Sequence, residues 1–139
     1  MQGVIDVFNL WQLGRKFDWQ ALSIHSSLKK DYNDACLKYF GLGTQILDKE
    51  IYQLDVSLIL EELDFYYLAG VEFFGDRGYF GYDLHSFTDC LIELHKYNGY
   101  TPGKTILFRG GDKINDPQIE SFLNEIKSVL LRFGFKPNW

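Results

Sequence analysis

His85 and Asp89 stand four residues apart in a stretch of helical spacing, so they share one helix face and can form an acid–base dyad. Catalysis by such a dyad needs a nucleophile and an oxyanion-stabilising loop, and neither accompanies it. Two readings stay open: a small hydrolase or nuclease using His85 and Asp89, and a solvated intrahelical pair. Cys90 follows Asp89 but points about 100° away from it on a helix. His25 and His95 have no spacing that would complete the three or four convergent ligands of a metal site. No metal and no cofactor are therefore expected. The stretch Gly99-Tyr100-Thr101-Pro102-Gly103-Lys104-Thr105 resembles a phosphate-binding loop, but only three residues separate its glycines where four are needed. It also precedes a strand pattern instead of following one. Cys36 and Cys90 are too few for a disulfide framework and read as small buried hydrophobes.

The elements that must position these groups follow from periodicity. Val4–Phe8 and the alternation Phe17, Trp19, Ala21 predict two short strands. Ser26 or Ser27 caps a helix with Leu28, Tyr32, Ala35, Cys36, Tyr39 and Phe40 at helical spacing, ended by Gly41 or Gly43. Gln45–Tyr52 predicts a strand. Asp55 is expected to cap a helix carrying Leu58, Leu60, Leu63, Tyr67 and Leu68. Gly75-Asp76-Arg77-Gly78 is a turn, and Leu84, Phe87, Leu91 and Leu94 make a helix with one apolar face. Thr105–Phe108 is the strongest strand pattern. Asp116-Pro117 starts a last helix striped with Ile119, Phe122, Ile126, Val129, Leu130 and Phe133. Strands alternating with helices at these connection lengths imply an α/β fold, a small parallel sheet packed by helices.

Composition fits a single globular domain of 139 residues, 46% apolar and 24% charged. No run approaches the roughly 18 apolar residues of a membrane helix, and the first twenty residues lack the pattern of a secretory leader. The expected location is the cytoplasm, with no membrane partner. Aromatic residues reach 17%, enough for both core and binding anchors. Charge is uneven. Between Asp48 and Glu93 eleven acids face only Lys49 and Arg77, a net of −9 in a chain of −5. That disfavours nucleic acid as a direct partner, which would need clustered Lys and Arg, and favours a basic protein. It equally suits a merely soluble acidic surface.

On the helix after Gly81, the face opposite the apolar one carries His85, Ser86, Asp89 and Glu93, with Tyr82 and Asp83 at its start and Thr88 beside it. Tyr79 and Phe80 precede it as an aromatic rim. Carboxylates on a rigid helix suit the capture of Arg, Lys or His side chains on another protein, and an ordinary exposed face has the same composition.

Tyr79-Phe80-Gly81, then Leu84, Phe87, Asp89, Cys90 and Leu91, resembles the signature of barstar-like proteins, cytoplasmic inhibitors of ribonuclease toxins. The resemblance runs from about Leu47 to the C-terminus, roughly two-thirds of the chain. Leu47–Ile51 is similar to the family's first strand and turn, Thr105–Phe108 to its second strand, and Ile119–Phe133 to its last helix. It implies a three-stranded parallel sheet in a domain spanning 46–139, with 1–45 as an N-terminal extension packed on the core. It also implies an immunity protein of a bacterial competition or contact-dependent growth inhibition system. Such a protein occludes a nuclease toxin with acidic groups that mimic substrate phosphates, and is not an enzyme. Asp89 matches the aspartate that plugs the nuclease centre, Tyr79 an interface aromatic, and Phe80 and Gly81 the turn into the recognition helix. The implied toxin-binding residues are Tyr79, Tyr82, Asp83, His85, Ser86, Thr88, Asp89 and Glu93, with Glu120 and Glu125 as further acids from the last helix.

Three positions depart from the family pattern: His85 replaces a second aspartate, Asp83 an asparagine, and Thr88 a frequent tryptophan. A changed central charge pattern implies a partner other than the barnase-like enzymes. His85 then either donates to a toxin carboxylate or pairs with Asp89. A third class also stays open, a protein-interaction module on the same scaffold without an immunity role.

Overall fold

Residues 2–15, 17–42, 46–99 and 103–138 are described by the computed structural model. Along the chain come α1 (Gln2–Gln12), α2 (Ser27–Phe40), β1 (Ile51–Asp55), α3 (Glu62–Phe74), α4 (Leu84–Asn98), β2 (Thr105–Arg109), α5 (Pro117–Arg132) and β3 (Lys136–Asn138). The three strands form a parallel sheet in the order β1-β2-β3. Ile51 pairs with Thr105 and Asp55 with Arg109 in one ladder, Thr105 with Lys136 and Leu107 with Asn138 in the other. The expected α/β class with a small parallel sheet packed by helices is the architecture seen.

Tyr52, Leu54, Ile106 and Phe108 are buried, while Ile51, Gln53, Asp55 and Arg109 between and beside them are exposed. This period of two turns one sheet face into the helices and leaves the other toward water. The free edge of β1 is partly closed by α3, whose Glu72 carboxylate accepts the Gln53 amide at 2.6 Å. At the other edge β3 is only three residues long and contains Pro137, which lacks a donor.

Local capping agrees with the chain's own signals. Ser26 Oγ accepts the Leu28 amide, and Asp116 Oδ1 accepts the Gln118 amide at 2.9 Å ahead of Pro117. Most of the aromatic content is spent on the core. Trp19 stacks on Tyr67 at 4.4 Å, Tyr52 on Phe73 at 4.2 Å, and Phe65 meets Phe87 edge-on at 5.5 Å. Val4, Val7, Trp11, Trp19, Tyr32 and Cys36 lie in the same core cluster as Phe87, Ile106 and Leu123.

Four expectations are corrected. Val4–Phe8 is not a strand but the middle of α1, because Val4, Val7 and Trp11 fall on one helix face and bury it against α2. Phe17–Ala21 is not a strand either: Trp19–Ala21 is one turn of 3₁₀ helix that drops the Trp19 ring into the core. Asp55 does cap, but what it caps is the short turn Val56–Leu58, accepting the Ser57 amide at 3.1 Å. The following helix starts only at Glu62, leaving Leu58 and Leu60 exposed. The first strand lies later than Gln45–Tyr52, since only from Ile51 onward does the chain pair with β2. Gln45 itself, Gly43, and Tyr100, Thr101 and Pro102 of the glycine loop lie outside the described residues.

Candidate protein-binding surface on helix α4

Helix α4 is held rigidly from below. Phe87, Cys90, Leu91 and Leu94 are buried, and burial pushes the Cys90 thiol up to about 12, so it is an inert core group. The turn into the helix is equally fixed. Gly81 has φ +101°, and a Cβ there would lie 2.7 Å from the Phe87 amide nitrogen, so only glycine lets the loop approach the helix this closely. Its carbonyl accepts a 2.9 Å hydrogen bond from the buried Asn33 amide of α2. Asp83 then caps the helix: its Oδ1 accepts the Ser86 amide at 2.7 Å, while Ser86 Oγ accepts the amides of Tyr82 at 2.9 Å and Asp83 at 3.1 Å. The Ser86 amide is the main reason the Asp83 carboxyl lies below its ordinary value.

Of the candidate groups on this mount, Tyr82, Asp83, His85 and Asp89 are exposed. His85 Nε2 lies 3.6 Å from Asp89 Oδ2, with the two side chains 88% and 56% exposed. The structure thus brings the pair together as an intrahelical contact in water. Among the described residues no group of three His, Cys, Asp or Glu is arranged to hold a metal ion. Ser86 is occupied by the cap, and Thr88 is half-buried with its hydroxyl donating to the Leu84 carbonyl at 2.8 Å. Glu93 is half-buried further along and meets Lys96 at 3.5 Å.

Tyr79 is displaced from its expected role. It is 3% exposed, with Phe80 at 1%, so neither ring forms a rim around the carboxylates. The reason is the Gly81 turn, which folds the preceding residues down into the core instead of along the surface. The glycines Gly70 and Gly78 help, their backbones being so close that a Cβ on either would meet the other's carbonyl oxygen at 2.4 Å.

The two loosely assigned acids of α5 separate. Glu125 lines a groove of about 530 Å³ together with Leu84, His85 and Thr88 of α4. Glu120 instead borders a groove of about 770 Å³ at the C-terminal end of β2, with Arg109, Asp112 and Asn124 and none of the α4 surface residues.

Much of the acidic window proves to be internal fastening. Asp64 Oδ1 accepts from Lys29 Nζ at 2.8 Å and from Trp19 Nε1 at 2.9 Å, and Asp64 Oδ2 from the amides of Leu60 and Glu61. Lys29 Nζ also donates to Glu61 Oε2 at 2.9 Å. Burial works against the Lys29 charge, yet the hydrogen bonds and charges of Asp64 and Glu61 outweigh it and hold the ammonium above its usual value. Glu72, Asp55 and Asp83 cap backbone groups. The buried Lys29 and Asn33 were missed in the sequence, where both sit in an unremarkable polar helix.

Among the described residues no helix is long and apolar enough to cross a membrane. Comparisons of the chain with models of known families, with curated proteins and with solved structures found no match.

Proposed function

We propose that this protein is an immunity protein of the barstar-like kind, which binds a cognate nuclease toxin, an RNase of a bacterial competition system, and blocks its basic active site. The observation that carries the reading is the Asp89 carboxylate, half-exposed on a helix anchored on its other side by Phe87, Leu91 and Leu94. A carboxylate on so rigid a mount loses little freedom when it enters a cationic cleft, and it gains charge-assisted hydrogen bonds there. Tyr82, 51% exposed, supplies the contact ring that the buried Tyr79 cannot. Asp83 and His85 complete the charge pattern. The imidazole of His85 lies against Asp89 in the free protein and moves aside or bridges to a toxin carboxylate in the complex. No cofactor and no catalytic step belong to this reading, and its place of action is the cytoplasm, where the toxin would meet its RNA substrate.

The test is co-expression with the C-terminal domain of the toxin encoded beside this gene. Growth rescued by the native chain and lost with Asp89→Lys, while circular dichroism shows the fold retained, is the expected result. Rescue that survives Asp89→Lys removes the α4 surface from this role.

A further inference from the structure

Ile24 and Leu60 are large aliphatic side chains left 48% and 60% exposed, on two different connections, one before α2 and the other before α3. Both line a groove of about 680 Å³ and also a second of about 280 Å³. Asp116 and Ile119 at the start of α5 are common to the two as well, so the grooves run together as one trough. The buried Ile119 and Phe122 give it an apolar floor. Both connections are fastened. His25 holds a left-handed backbone, φ 65°, and its amide donates to Glu61 Oε2 at 2.8 Å. The Leu60 amide donates to Asp64 Oδ2 at 2.9 Å. Glu61 and Asp64 are in turn held by the buried Lys29 ammonium. The fold thus fixes two apolar side chains in water beside an apolar floor, the arrangement of a surface made to be covered.

The charges along the trough decide what covers it. Glu61, Glu62, Asp116 and Glu125 line it, against Lys113 and the His25 imidazole. Glu61 is engaged by Lys29, and Asp116 by the α5 cap. Glu62 and Glu125 are exposed and make no hydrogen bond or ion pair among the described residues.

We infer that this trough docks a short segment of a protein partner in which two aliphatic side chains flank arginine or lysine. The aliphatic groups cover Ile24, Leu60 and the floor, and the cations meet Glu62 and Glu125. Apolar burial supplies affinity, and the unpaired carboxylates select the sign of the partner. A second copy docked trough to trough would bring the same acids together, which disfavours it. The site uses no residue of α4 and does not depend on the toxin reading.

The probe is the blocked tetrapeptide leucyl-arginyl-arginyl-leucine, titrated at low salt into the isotopically labelled full chain and followed by methyl and amide resonances. Shifts centred on Ile24, Leu60 and Ile119 are expected, with tetra-arginine and leucyl-glutamyl-glutamyl-leucine each binding at least about tenfold more weakly. Leu60→Ser should weaken the probe about tenfold, as should the double variant Glu62→Gln/Glu125→Gln. All three side chains are exposed, so these variants keep the fold. No shift at the trough, shifts centred on Asp89 of α4 instead, equal binding of the acidic peptide, or binding unchanged by Leu60→Ser overturns the inference. Resonances of Ile24 and Leu60 that move with the concentration of the chain alone also overturn it, since a second copy would then be the occupant. The titration needs no toxin, so the trough can fail while the α4 reading stands, and the reverse.

Discussion

Lys29 and Asp64 form a buried ion pair, Nζ to Oδ1 at 2.8 Å, with side chains only 3% and 5% exposed. It ties α2 to the start of α3, so the first part of the chain is joined to the rest by charge as well as by packing. Removing the cation leaves Asp64 and Glu61 without their ammonium in a site closed to water. Lys29→Met should therefore cost about 3–5 kcal/mol, read from urea unfolding monitored by tryptophan fluorescence. The double variant Lys29→Met/Asp64→Leu should recover none of it. Asp64 also accepts from Trp19 Nε1 and two backbone amides, and leucine would orphan all three. A double variant as stable as the native chain would show that the network is dispensable.

Asn33 reaches from α2 to the Gly81 carbonyl, and so sets the turn that aims α4. Asn33→Leu leaves that buried carbonyl unpaired, for about 1–3 kcal/mol. Gly81→Ala should be worse, because its Cβ would meet the Phe87 backbone and its φ is positive. On the proposed function, Asn33→Leu also weakens toxin binding although Asn33 is buried beneath the turn. Titration calorimetry at a temperature where the variant stays folded checks this; unchanged affinity would uncouple the turn from recognition.

How far the sequence could be read depended on whether the signal was local. The caps at Ser26 and Asp116 and the stripe of Ile119 to Leu130 are local, and each element stands where those residues place it. Val4–Phe8 misled because a β-branched run has strand propensity, whereas its partner face on α2 decides the outcome. β3 was invisible, being three residues containing a proline that only pairing with β2 makes a strand. For the site, the exposure of His85 and Asp89 followed from helix phase, while Ser86 and Glu93, expected on the same face, are half-buried. The burial of Tyr79 did not, because it depends on the close packing of Gly70 on Gly78 and on the Gly81 turn. Lys29 and Asn33 share the helix face of Tyr32 and Cys36, and nothing in their types announces burial.

The Asp83 cap gives a pH signature of known sign. Its carboxyl is held below the usual value, chiefly by the Ser86 amide, so its contribution is complete above the unfolded value near ~3.9 and fades as pH falls through the lower folded value. Asp83→Ala should cost about 1 kcal/mol at pH 7. The gap between native and variant should stay level down to about pH 5 and narrow below about pH 4. Unfolding curves collected across that range give the answer, and a gap that widens in acid would contradict the capping geometry.

Tyr79 and Asp89 make opposite predictions for binding, because one is sealed in the core and the other stands in water. Tyr79→Phe should leave the toxin's dissociation rate unchanged, since the ring is buried and its hydroxyl faces Ser86 inside the fold, whereas Asp89→Asn should raise it and Tyr82→Ala more modestly. Association of the native chain should be fast at low salt and slow steeply as the Debye length shortens from about 10 Å at 0.1 M to about 3 Å at 1 M. Asp89→Asn should flatten that dependence, because a charge at the centre of the contact steers encounter as well as holding the complex. Surface plasmon resonance at several salt concentrations separates the two rates. A native association rate indifferent to salt would mean that the toxin is recognised by shape and apolar contact, and not by the carboxylates of α4.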